Sequence, residues 1–305
     1  MTASEPTPPP TPTARTAGPA SRAPRRYVAI GDSFSEGIDD PDPASPGRHL
    51  GWADRLAELL DDDARAAGGH LEYANLAVRG RRLPQVLAEQ LPRALELRPD
   101  LLSISAGGND ILRPGADVDA LAASLDRAVA TARAAGTRVL LATGFDPAGL
   151  PVVRWTRGRV ATFNLHVWAV AQRHDALVLD LWSMRALYDA RLWVPDRIHL
   201  APEGHRRVAL LAAATVRGLR SEELGRAERE WSLPLPPAAR RGRGARAADD
   251  LAWARTHLAP WVRRRLEGRS SGDGVQAKRP VPLPLPRPAR RPLRVVVATL
   301  ALALT

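Results

Sequence analysis

Short, continuously apolar runs alternate with amphipathic stretches over the first two thirds of this 305-residue chain. No other feature of the sequence constrains the fold as strongly. The apolar runs lie at 26–30 (RYVAI), 71–76 (LEYANL), 101–105 (LLSIS), 138–142 (RVLLA) and 176–181 (ALVLDL). Between them, residues 51–62, 83–97, 117–135 and 163–174, and a segment starting near Pro202, carry apolar residues at helical spacing. Pro92 predicts a kink in the second of these helices, and Pro202 followed by Glu203 marks the start of the last. Strands apolar on successive positions are buried on both faces, and a strand–helix order repeated about five times calls for a parallel sheet. Right-handed crossovers then place helices on both sides. The expected fold is α/β, a three-layer α/β/α sandwich with a parallel sheet of about five strands, spanning residues 26–222.

The flanks have a different composition. Residues 1–25 are rich in Pro, Thr and Ala and read as a disordered leader without the apolar core of a signal peptide. Residues 223–274 read as an accessory extension, with a helix over 249–266 whose Trp253, Leu258 and Trp261 are placed to dock on the main domain, and a turn at 269–274. Residues 275–305 read as a Pro/Arg-rich tail with a polyproline-like linker at 280–288 and a short apolar end. That end, at 293–305, is too short for a bilayer span, which needs roughly 20 residues. With neither a signal peptide nor a span, the expected location is cytoplasmic.

Charge follows the same division. The net charge is +11, and residues 233–305 hold 15 basic and 4 acidic residues, so they account for all of it and the remainder is neutral. The domain itself therefore has no basis for specific nucleic-acid binding, and the expected contact of the tail is at most a weak one with anionic surfaces. Cysteine is absent, which excludes disulfides, thiolate chemistry and Cys-based metal sites. Lys278 is the only lysine and falls in the tail, away from any lysine-centred mechanism.

Open α/β sheets gather their sites beyond the carboxyl ends of the strands. Ser33, in GDSFSEG (31–37), follows the first strand directly. By itself it reads as a turn or helix cap, and its hydroxyl is a weak nucleophile until a base takes the proton. His199, in PDRIHL (195–200), has Asp196 three residues before it, a spacing at which the carboxylate folds back onto the ring and fixes its tautomer. His205 is a rival that falls about a turn into the last helix and is expected to pack locally. Asn109, in GGND (107–110), offers a side-chain N–H, and Gly80, in NLAVRG (75–80), a backbone N–H. With the Ser33 amide they make three candidate donors for an oxyanion.

With these blocks in order, the chain resembles the SGNH hydrolases, also called the GDSL esterase/lipase family. GDSFSEG matches the serine block, although Phe34-Ser35 departs from the simplest GDSL string. NLAVRG matches the glycine block, GGND the G-x-N-D block and DRIHL the D-x-x-H block. The resemblance covers about residues 26–222, and the extension around 250–274 resembles those of actinobacterial members. It implies a flavodoxin-like sandwich, catalysis by Ser33, Asp196 and His199, an oxyanion hole of Ser33, Gly80 and Asn109, and no metal or organic cofactor. The expected activity is carboxylic ester hydrolysis through a Ser33 acyl-enzyme, on a small-molecule, lipid or sugar ester, with acyl transfer by the same site as the alternative. A metal phosphoesterase built from Asp32, Asn109, Asp110, Asp196, His199 and His205, and a non-catalytic binding protein, are the readings from other classes. Phe145, Pro147, Pro151, Trp155, Trp182 and Trp193 are candidate walls of a substrate cleft. The oligomeric state is left open.

Overall fold

The computed structural model describes residues 23–150, 153–219, 221–237, 253, 255–256, 260 and 270–286. Five parallel strands form the sheet: β1 (Arg26–Gly31), β2 (Glu72–Asn75), β3 (Leu101–Ser105), β4 (Arg138–Ala142) and β5 (Leu177–Leu179). A sixth, β6 (Arg279–Pro284), pairs antiparallel with β2, giving the order β5-β4-β3-β1-β2-β6. Its five parallel strands follow the flavodoxin-like order.

Strands β1 to β4 are buried on both faces because their side chains alternate between two apolar cores. Tyr27, Ala29, Leu101 and Leu140 enter one core, with Trp52, Leu56 and Leu60 of α2 (Trp52–Ala66) and Val208 and Ala212 of α8 (Pro202–Arg217). Val28, Ile30, Leu102, Ile104, Val139 and Leu141 enter the other, with Leu125 and Val129 of α6 (Val118–Ala134) and Val167 and Val170 of α7 (Arg157–His174). Three layers result. The crossover direction reverses at β1, where β2 lies on one side and β3 on the other. The loops leaving β1 and β3 therefore part at the sheet's carboxyl edge and open a crevice.

Two elements differ from expectation. The helix over 83–97 is three pieces: α3 (Leu83–Gln85), a π-helical turn at Val86–Gln90, and α4 (Leu91–Glu96). Pro92 has no N–H to give and its ring excludes the carbonyl one turn earlier, so the hydrogen-bond ladder widens just before it. The stretch PVPLPLPRP (280–288) is not a linker where it is described, because its first half is β6. Proline at 280, 282 and 284 leaves backbone donors at 279, 281 and 283. That period-2 set serves one side only, which is all that an edge strand requires. Smaller differences are that α7 begins six residues before 163 and that β5 is shorter than 176–181. Of the helix expected over 249–266, only Trp253, Arg255, Thr256 and Pro260 are described. Leu258 and Trp261 lie outside the described residues, as do 1–22 and 287–305. Among the described residues no helix is long and apolar enough to cross a membrane.

Candidate active site

Ser33 is the first residue of a one-turn helix, α1 (Ser33–Glu36), entered directly from β1. The entry is tight. Gly31 has φ +152°, and a Cβ there would stand 2.2 Å from Ser105 O on β3, so only glycine fits. The peptide groups of Gly31 are held by Gln90, whose Oε1 accepts from Gly31 N at 2.8 Å and whose Nε2 donates to Gly31 O at 3.0 Å. The π-helical turn carries Gln90 into the core, where it is buried. Asp32 caps α1, accepting from Phe34 N at 3.1 Å. Burial pushes its pKa up to about 6, against the opposing pull of that N–H and of His199.

His199 Nε2 stands 3.0 Å from Ser33 Oγ. On its other side, Nδ1 meets Asp196 Oδ2 at 2.6 Å. Asp196 Oδ1 also accepts from the backbone amides of Ile198 (2.9 Å) and His199 (3.0 Å), which folds the carboxylate onto the ring as the three-residue spacing predicts. The turn places Arg197 at φ +60°. Its neck is closed by Val194 N donating to His199 O and by a bridge between Trp193 and Leu200. Trp253 is buried, as its expected docking requires, and its indole N–H donates to Asp196 O at 2.9 Å.

Burial opposes charge on both groups of this relay, the His199 ring and the Asp196 carboxylate, yet charge prevails. Desolvation works against an imidazolium at His199, but the hydrogen bond and charge of Asp196, with the charges of Asp39 and Asp32, raise its pKa above the ordinary value. Burial likewise works against an Asp196 carboxylate, and the His199 bond and charge with the two amides outweigh it and lower its pKa. Asp39 Oδ2 lies 3.7 Å from His199 Nδ1, with its backbone at φ +66°.

Asn109 enters from α5 (Gly108–Ile111), on the loop after β3. Its Nδ2 donates to Asp32 Oδ2 at 3.3 Å and to Arg81 O at 3.0 Å. The second contact ties the G-x-N-D block to the residue following Gly80. Gly80 sits at φ +72°. The loop before it is fixed by Glu36, a buried carboxylate that accepts Arg79 N at 2.6 Å and Arg79 Nε at 2.9 Å. Ser33, Asp196, His199 and Asn109 thus converge. Gly80 neighbours them through Arg79 and Arg81.

That cleft, about 1070 Å³ with its open mouth, is lined by Ser33, Asn109 and His199 at one end and by apolar side chains along its walls. Phe145 and Pro147 form one wall with Leu181, and Ile111, Val160 and Phe163 the other. Trp193 stands behind Phe145, rings 4.6 Å apart edge to face, with its N–H on Leu187 O. Trp155 and Trp182 instead lie under the guanidiniums of Arg159 and Arg157 and do not line the cleft. Pro151 lies outside the described residues. His205 packs as expected: buried beside Phe34, it accepts from Trp52 N, and burial lowers its pKa to about 4.

The six residues of the rival metal reading do not form one ligand cluster among the described residues. Among the described residues the group with metal-ligand spacing is Asp39, Asp196 and His199, while Asp110 is spent on Leu83 N and His205 on Trp52 N. Sequence reasoning missed Gln90, Glu36 and Asp39, each of which acts on a residue distant in the chain or across a loop. Lys278, expected in the tail, packs half-buried against the domain. Its ammonium donates to Glu36 O (2.6 Å), His49 O (3.0 Å), Leu50 O and Asp54 Oδ2 (2.6 Å).

Residues 29–207 match the GDSL-like Lipase/Acylhydrolase family. No curated protein matches the chain. Among solved structures, TesA is similar at 25% identity and a TM-score of 0.51, covering 64% of this chain and 99% of its own. LAE5, an α/β hydrolase enzyme from the metagenome of Lake Arreo, Spain, superposes with a TM-score of 0.55 at 21% identity over 67% of this chain and all of its own. An acetyl xylan esterase from Geobacillus stearothermophilus does so at 0.54 and 20%, over 66% and 97%. The last two likenesses concern the fold. A family match over more than half the sequence, on a sheet of this order, identifies the chain as a carboxylic ester hydrolase belonging to the GDSL-like lipase/acylhydrolase family.

Proposed function

We propose that the chain hydrolyses carboxylic esters through an acyl-enzyme on Ser33, with His199 as general base and Asp196 as its orienting carboxylate. The observation that carries this is the unbroken hydrogen-bond relay from Asp196 Oδ2 through His199 to Ser33 Oγ, at 2.6 and 3.0 Å. His199 takes the Ser33 proton as Oγ attacks the carbonyl carbon, and the carbonyl π-electrons move onto oxygen. The Ser33 and Gly80 amides and Asn109 Nδ2 are the proposed donors to that oxygen. At Asn109 the oxyanion replaces the longer of two existing bonds, the 3.3 Å contact to Asp32. The oxyanion collapses, the ester C–O bond breaks, and His199 returns the proton to the leaving alcohol. Water then repeats the sequence on the acyl-enzyme and frees the acid.

The apolar walls beyond Ser33 favour an acyl chain in the cleft, with the alcohol part toward solvent. An acceptor alcohol in place of water gives acyl transfer from the same intermediate, and products formed with and without added alcohol report that partition. The reading is tested with p-nitrophenyl esters of increasing acyl length. S33A and H199A are expected to lose at least about 10³-fold in kcat, with wild-type kcat/KM rising from acetyl toward longer chains. Full activity in S33A contradicts it.

A further inference from the structure

We propose that the chain's C-terminal segment is a positioning element of the active site: the turn at 270–274 holds the Arg79–Gly80 loop, and Trp253 holds the Asp196 loop. The inference rests on the Ser33 reading above and concerns what keeps that site in register.

Backbone meets backbone at the first contact. A Cβ added to Gly272 would lie 1.9 Å from Arg79 O, and one added to Gly80 would lie 2.2 Å from Ser270 Oγ. Gly272 is needed for that approach because it faces backbone, and Gly80 is kept a glycine by its φ of +72°. The turn is rigid in itself, because Asp273 Oδ2 accepts from Ser270 N at 2.8 Å and Ser270 Oγ accepts from Gly272 N at 3.2 Å. Arg79 is thus held on both ends of its residue, with Glu36 on its N–H and the turn against its carbonyl. The next amide is that of Gly80.

Lys278 fastens the turn from behind. An ammonium gives up water readily only where its protons are taken, and in this half-buried position three protons face four acceptors. One acceptor is Glu36 O, so the same α1 residue grips the Gly80 loop and is gripped by the C-terminal segment. β6 then pairs with β2, the strand that leads into that loop. On the opposite side of the site, Trp253 donates to Asp196 O and carries the Arg197 guanidinium over its ring at 5.5 Å. Arg197 is a non-glycine residue in the left-handed region, a conformation that persists only where its surroundings fix it. Donors and bases must sit within a fraction of an ångström of productive geometry, and these contacts supply that constraint from one chain segment to both halves of the site.

The test uses the full-length protein with G272A, D273A and W253F beside S33A. G272A forces the turn off Arg79 O, and D273A loosens the turn from an exposed position. In G272A, kcat is expected to fall about 10- to 100-fold, with KM within about twofold. Inhibition by an alkyl boronic acid, which becomes tetrahedral and anionic on the serine, should weaken by the same factor. D273A and W253F should shift the same way by less. Wild-type kcat in a folded G272A, or a loss carried by KM with boronate inhibition unchanged, overturns the proposal. If G272A does not fold, D273A decides, and wild-type kcat there overturns it. An active S33A rejects the Ser33 reading, whereas an inactive S33A with a fully active G272A rejects the brace alone.

Discussion

Three carboxylates act on His199: Asp196 at hydrogen-bond distance, Asp39 at 3.7 Å and the buried Asp32. All favour its charged form, and together they overcome desolvation and raise its pKa. As a base the ring works only when neutral, so kcat/KM falls as pH drops through this raised value. The same shift favours the fold at low pH, and that contribution disappears as pH rises through the folded-state pKa. Asp39 is the separable member. In D39N the imidazolium loses one favourable charge, its pKa falls, and the acid limb of the kcat/KM profile moves to lower pH while the alkaline plateau is retained. An acid limb that stays in place shows that Asp39 is electrostatically silent. The candidate relay was legible in the sequence because Asp196 and His199 lie in one turn. Asp39 was not, because its approach depends on a left-handed residue in the long loop after α1.

At the scale of elements, the segment between β2 and β3 is decisive. Its proline was readable as a defect in a helix. What the defect accomplishes was not, because the π-helical turn rotates Gln90 inward onto a peptide 59 residues earlier. In Q90L the side-chain volume is nearly kept, but the buried Gly31 N–H loses its acceptor, while Gly31 O keeps a bond from Val78 N. One unsatisfied buried donor costs about 2 kcal/mol. Urea denaturation should show a loss of that size, together with a lower kcat, because Gly31 launches the turn to Ser33. A stability change below about 0.5 kcal/mol would mean that water or a neighbour satisfies Gly31. The five parallel strands were read correctly because each is a local apolar run. β6 was not, since alternate prolines look the same in a polyproline helix and in an edge strand until β2 is alongside.

For the whole molecule, the sheet order brings distant blocks together. The crossover reversal at β1 sets the loops after β1 and β3 side by side, and the turn before α8 closes over them with His199. The C-terminal segment returns to the opposite edge and pins the Gly80 loop, so residues that look like an appendage belong to the domain's frame. This architecture makes one prediction about reactivity: of the hydroxyls among the described residues, Ser33 alone combines a base at 3.0 Å with an open apolar cleft. Labelling the intact protein with an alkyl fluorophosphonate and mapping the adduct by peptide mass spectrometry tests it most directly. The account predicts one adduct, on Ser33, absent in S33A and strongly slowed in H199A. An adduct on another residue, or undiminished labelling of S33A, would contradict it.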